Sequence, residues 1–109
     1  MSLIQTIAPA DLKVRLEAGE KPFIVDVRED DEVAGGIIPG AVHIRLGDLP
    51  DRFGELPKDR ELIVVCRGGN RSLKACEFLA DQGYSKQVNL TGGMREWAQQ
   101  LPEQERPVV

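Results

Sequence analysis

Histidine occurs once in this sequence, at His43, and cysteine twice, at Cys66 and Cys76. Three such side chains fall short of the four ligands of a structural zinc site, so neither a metal nor any other cofactor is expected. Two cysteines also make no disulfide framework. A single imidazole limits Ser-His or Cys-His catalysis to one base, and no Gly-x-Ser-x-Gly elbow is there to present a serine. Long apolar runs are missing too: nothing approaches the roughly 20 residues that span a bilayer. The N-terminus lacks the basic flank and apolar block of a secretory signal, and a cytoplasmic location is expected. Nor is there an excess of positive charge. Fourteen Lys and Arg face eighteen Asp and Glu, a net charge of −4, which leaves neither nucleic acid nor an anionic membrane as an expected partner. Any anion chemistry must be local.

What remains is an ordinary composition, 41% hydrophobic and 29% charged over 109 residues, the profile of one domain spanning 1–109 with a C-terminal tail over about 102–109. Short runs of apolar residues mark strands: 4–7, 23–27, 42–44, 63–66 and 88–90. The runs at 23–27 and 63–66 are β-branched and nearly continuous in apolar residues, as strands covered on both faces are. Between them lie helical patterns. Pro9 opens one that carries Leu12 and Leu16 and stops at Gly19, and 49–56 makes a helical turn or two. Residues 71–82 carry a stripe of Leu73, Cys76, Leu79 and Ala80 up to Gly83, and a last helix runs through Trp97. The alternation predicts an α/β fold: an open, mainly parallel five-stranded sheet flanked by helices on both faces.

The segment Cys66-Arg67-Gly68-Gly69-Asn70-Arg71-Ser72 carries the chemistry. It stands between a buried strand and a helix N-terminus, at the carboxyl end of the sheet where ligands bind in open α/β folds. The two glycines permit positive φ, so that successive N–H groups turn inward as a nest for an anion, and the helix dipole adds positive charge. Arg67 and Arg71 supply cations. A cysteine at the base of such a cradle has its thiolate favoured, since helix N-termini and cations bring thiol values from about 8.5 into the range of about 3.5–7.5. The candidate site is therefore Cys66 as nucleophile with Arg67, Gly68, Gly69, Asn70, Arg71 and Ser72 as the substrate-binding loop. Lys74 adds to the local positive balance.

This loop resembles the active loop of the rhodanese-like sulfurtransferases, and the resemblance covers nearly the whole chain. Asp26-Val27-Arg28-Glu29 with Glu32 is similar to the family's strand-end signature. Gly36-Ile37-Ile38-Pro39-Gly40-Ala41 resembles its Gly-His-Ile-Pro-Gly-Ala box, and Gly92-Gly93-Met94 with Trp97 its C-terminal motif. Ile37, Val33 and Arg45 depart from the family pattern, which bears on substrate selection and local packing and not on the nucleophile. The resemblance implies a two-step sulfur transfer. The Cys66 thiolate takes the outer sulfur of a small anionic donor such as thiosulfate, releases sulfite, and passes the sulfur from its persulfide to cyanide, a thiol or a protein acceptor. It also implies that Asp26 and Arg28 support the pocket beside the active loop.

Two other functions compete. A persulfide carrier serving a dedicated partner protein would show the same residues. Phosphatases and arsenate reductases share the architecture, but their loops place five residues between Cys and Arg, whereas four stand here, Arg67 to Asn70. For the remaining residues the structural roles are the simpler ones: Asp26 and Arg28 as an ion pair, Cys76 as a buried thiol, His43 at an edge, the acidic run Glu29 to Glu32 as a solvated helix start. Gly92-Gly93 makes a strand-to-helix turn near the active loop.

Overall fold

Every residue of Leu62–Val65 is buried, and successive side chains face opposite ways. Leu62 and Val64 join one apolar cluster, Ile63 and Val65 another. A strand that is apolar at each position needs a cover on both faces, and burying each of these side chains contributes roughly 1.5–3 kcal/mol. The computed structural model, which describes residues 4–109, provides both covers.

The strands are β1 (Gln5–Ile7), β2 (Phe23–Asp26), β3 (Val42–His43), β4 (Leu62–Val65) and β5 (Gln87–Leu90), all parallel, in the order β1-β5-β4-β2-β3. The helices are α1 (Pro9–Glu17), α2 (Asp30–Ala34), α3 (Leu49–Arg52), α4 (Asn70–Asp81) and α5 (Gly93–Gln99). Leu12 of α1 and Met94 and Trp97 of α5 pack on one face of the sheet, against Ile24, Ile63, Val65 and Leu90. Ala75, Cys76 and Leu79 of α4 and Leu49 of α3 pack on the other, against Val25, Leu62 and Val64. The expected open parallel sheet of five strands is the fold observed. Among the described residues no helix is long and apolar enough to cross a membrane.

The chain leaves β2 toward one edge, to β3, and returns on the other side of β2 as β4, so the order reverses between β2 and β4. The carboxyl ends of these two strands diverge into separate loops, the crevice in which open α/β sheets bind ligands. Cys66 follows β4 at this point, and by strand parity its side chain joins Leu62 and Val64 on the α4 side.

Two expectations change in detail. The buried stripe of α4 is Ser72, Ala75, Cys76 and Leu79, while Ala80 is exposed and Leu73 is half-buried. The helix is rotated from the apolar count because Ser72, a polar residue, is drawn inward by hydrogen bonds described below. The segment 102–109, expected as a tail, lies back along the domain: Glu103–Glu105 form a 3₁₀ turn and Val108 N–H donates to the Gly35 carbonyl at 2.9 Å.

Candidate active site

Cys66 is 1% exposed and lies at the floor of a pocket of about 200 Å³ that is otherwise lined by Arg67, Gly68, Asn70, Arg71 and Arg95. A larger groove, about 760 Å³, lies elsewhere, between α1, α5 and the C-terminal segment, and does not include the cysteine.

The loop turns at Gly69, whose φ of +105° lies in the left-handed region that a side chain would strain. That turn aims the Gly69 N–H at Cys66 Sγ, 3.0 Å away. Gly68, the other expected positive-φ glycine, is not in that region, and a Cβ there would meet nothing. The carbonyls of the loop point the opposite way, into the start of α5: Met94 N–H donates to the Cys66 carbonyl at 2.9 Å and Arg95 N–H to the Arg67 carbonyl at 3.1 Å. Gly93 makes this approach possible, since a Cβ there would collide with the Cys66 carbonyl oxygen. The Gly92-Gly93 turn thus braces the Cys66 loop from behind.

Burial, the largest single influence on the Cys66 thiol, pushes its pKa up. Hydrogen bonds from the Ser72 hydroxyl and from the N–H groups of Ser72, Gly69 and Gly68 outweigh it, and the thiol ends below its ordinary value. Cys76, on the neighbouring turns of α4, is pushed up to about 12 by burial, with the charges of Glu77 and Cys66 adding to it.

Arg71 lines the pocket with its charge already paired. Its guanidinium grips both oxygens of Glu32, at 2.6 and 2.8 Å, and Glu32 is held for that purpose by the Glu29 N–H at 3.0 Å. This pair holds the Glu32 carboxyl well below the usual carboxylate range, at about 2. The acidic run is therefore only partly the solvated helix start expected: Glu29, Asp30 and Asp31 are exposed, while Glu32 neutralises a loop cation. Sequence reasoning missed Arg95, which follows the glycine turn and lines the pocket. Among the described residues neither Arg67 nor Arg95 makes an ion pair, so these two carry the free positive charge at the mouth.

Asp26 and Arg28 form a buried pair, each 1% exposed, with Arg28 Nη2 2.8 Å from Asp26 Oδ2. Arg28 also donates to the Gly36 carbonyl at 2.7 Å and the Glu32 carbonyl at 3.3 Å. It thereby ties the end of β2 to α2 and, through Glu32, to Arg71. His43 Nε2 donates to the Arg28 carbonyl at 2.6 Å and takes no part in the Cys66 pocket. Asn89 is the other residue missed. It sits 6% exposed in β5 and bonds both Ser72 and Gly69. A polar residue within a strand buried on both faces needs such partners, and that was the available signal.

The sequence profile of the rhodanese-like domain matches residues 8–100. The YtwF protein of Bacillus subtilis is 50% identical over 94 residues, covering 86% of this chain and 90% of its own. A thiosulfate sulfurtransferase, GlpE, of Stutzerimonas stutzeri is 33% identical over 102 residues, covering 94% of this chain and 92% of its own. In three dimensions the chain is similar to a rhodanese-like domain protein from Staphylococcus aureus, with a TM-score of 0.81 and 38% identity over 86% of this chain and 91% of that one.

Proposed function

The chain belongs to the rhodanese-like domain family, and from that premise we propose that it is a sulfurtransferase that carries sulfur on Cys66. The observation that supports this most is a thiol lowered by hydrogen bonds at the floor of a small pocket, with Arg67 and Arg95, which make no ion pair among the described residues, at its mouth. The donor is a small anion, thiosulfate or one like it, in keeping with the name of the GlpE relative. The Cys66 thiolate attacks the outer sulfur. The S–S bond of thiosulfate breaks, sulfite leaves with its electron pair, and Cys66 keeps one sulfur as a persulfide anion. Cyanide, a thiol or a protein acceptor then attacks the outer sulfur of the persulfide, and the thiolate returns.

No general base is required, because the attacker is already anionic and the leaving group departs without a proton. Inward N–H groups stabilise whichever sulfur bears the charge, the kind of preoriented donor that contributes most to many enzymic rates. Arg67 and Arg95 attract the donor and receive sulfite, while Arg71 positions the loop through Glu32. The four residues between Cys66 and Arg71 make a ring too small to surround a tetrahedral phosphoryl group, which disfavours phosphatase chemistry.

The test is to incubate reduced protein with thiosulfate, look by intact mass for one added sulfur, and then add cyanide and measure thiocyanate. One sulfur on the wild type and none on Cys66→Ala is the expected result. An adduct that survives Cys66→Ala overturns the reading. Loading followed by transfer only to a protein acceptor would make the chain a persulfide carrier instead.

A further inference from the structure

Ser72 has one hydroxyl proton and stands between two acceptors. Its Oγ is 3.2 Å from Cys66 Sγ, and its O–H donates to Asn89 Oδ1. Cys66, Ser72 and Asn89 are 1%, 0% and 6% exposed. The Asn89 amide is fixed in orientation: its Nδ2–H donates to the Gly69 carbonyl at 3.1 Å, and since a carbonyl only accepts, Oδ1 must be the atom that faces Ser72. Gly69 uses its own N–H on Cys66 Sγ. The four residues thus close a ring of hydrogen bonds beneath the pocket.

In the thiol state every member of that ring is satisfied, the S–H donating to Ser72 Oγ and the Ser72 O–H to Asn89. A thiolate only accepts. For Ser72 to stabilise it, the hydroxyl must rotate its proton onto sulfur, and Asn89 Oδ1 then loses its donor. We propose that Asn89 is a positioning residue for Cys66: held by Gly69, it competes with the sulfur for the single Ser72 proton. When Cys66 carries a second sulfur, the negative charge moves to the outer atom, the inner Sγ becomes a weak acceptor, and the proton turns back to Asn89. This last consequence rests on the sulfur-transfer reading; the competition itself does not. Other charged or titratable groups at the site are Arg67 in the loop, Arg71 and Cys76 on α4 and Arg95 on α5. Glu32 of α2 acts on it through Arg71, and Asp26 of β2 is tied to Arg28.

The test is the pH profile of iodoacetamide alkylation in the full chain, scored by mass spectrometry at Cys66 and Cys76 separately, for Asn89→Leu, Ser72→Ala and the double variant. Removing the competing acceptor frees the Ser72 proton, so Asn89→Leu should move the Cys66 midpoint down. Below that midpoint alkylation should be about twofold to fivefold faster, the lost intrinsic nucleophilicity included. In the Ser72→Ala background the same substitution should change nothing. A midpoint that rises or stays put with Asn89→Leu, or a fall that survives Ser72→Ala, overturns the proposal. Asn89→Ala makes the same removal with a smaller side chain if leucine does not fit the strand. Alkylation needs no sulfur donor, so the outcome is independent of whether thiosulfate loads Cys66.

Discussion

Cys66 and Cys76 belong to the same apolar cluster and are equally buried, yet one thiol is lowered and the other is pushed up to about 12. Burial disfavours both thiolates, so it cannot be what separates them. The difference is the supply of donors. Cys66 ends a strand, where the chain turns through Gly69 and directs N–H groups at the sulfur; Cys76 lies inside a helix, where the N–H groups are spent on carbonyls. Among the described residues no hydrogen bond reaches the Cys76 sulfur, although its carbonyl accepts from Gln87. The acidity of each thiol follows the donors around it, the Ser72 hydroxyl first and the loop N–H groups after it, rather than its depth.

Removing each sulfur in turn separates the two thiols most strongly. Cys66→Ala should abolish thiocyanate formation to the uncatalysed background, whereas Cys76→Ala should keep activity within about twofold and lose about 1 kcal/mol of stability. Comparable losses of activity in both would mean that the buried thiol takes part. The next largest effect comes from the brace behind the loop. Gly93→Ala drives a Cβ into the Cys66 carbonyl and should cost about 2–4 kcal/mol in denaturant unfolding, while Gly68→Ala, with open space around it, should stay within about 0.5 kcal/mol. Equal costs would show that the carbonyl contacts to α5 do not hold the loop.

A smaller effect is expected from Ser72→Ala. Loss of the hydroxyl should raise the Cys66 midpoint and slow alkylation below it by about threefold, leaving Cys76 unreactive until the chain unfolds. Smallest is Glu32→Gln, which releases Arg71 toward the pocket and should lower the thiosulfate KM by about twofold to threefold. It also has a pH signature. The folded Glu32 carboxyl is held at about 2 against an ordinary 4.5, so its stabilisation is present above 4.5 and is lost as pH falls toward about 2. Acid unfolding curves of wild type and Glu32→Gln should converge across that window; parallel curves would remove the ion pair from the stability of the loop.

The five strands and the position of Cys66 were legible because they rest on local patterns: continuous β-branched runs, a glycine pair, a helix beginning behind them. The roles within the loop were less so. Arg71 was expected to bind substrate, and the structure adds a partner for its charge, Glu32 from helix α2. Arg95 and Asn89 enter from α5 and β5, and neither has a neighbour in sequence that identifies its partner. The rotated face of α4 has the same origin, since Ser72 is buried by bonds to Cys66 and Asn89 and not by hydrophobicity.

A parallel sheet covered on both faces, one cysteine at a strand end and a loop of four residues before an arginine all follow from local sequence, because chain geometry and side-chain periodicity act over short separations. Which loop cations lack an ion-pair partner, which loop glycine turns to positive φ, and which hydroxyl lies between Cys66 and Asn89 emerge with the packed fold. Charge neutralisation and hydrogen-bond competition depend on distances between atoms far apart in the chain, and those distances exist only once β2, β4 and β5 lie side by side.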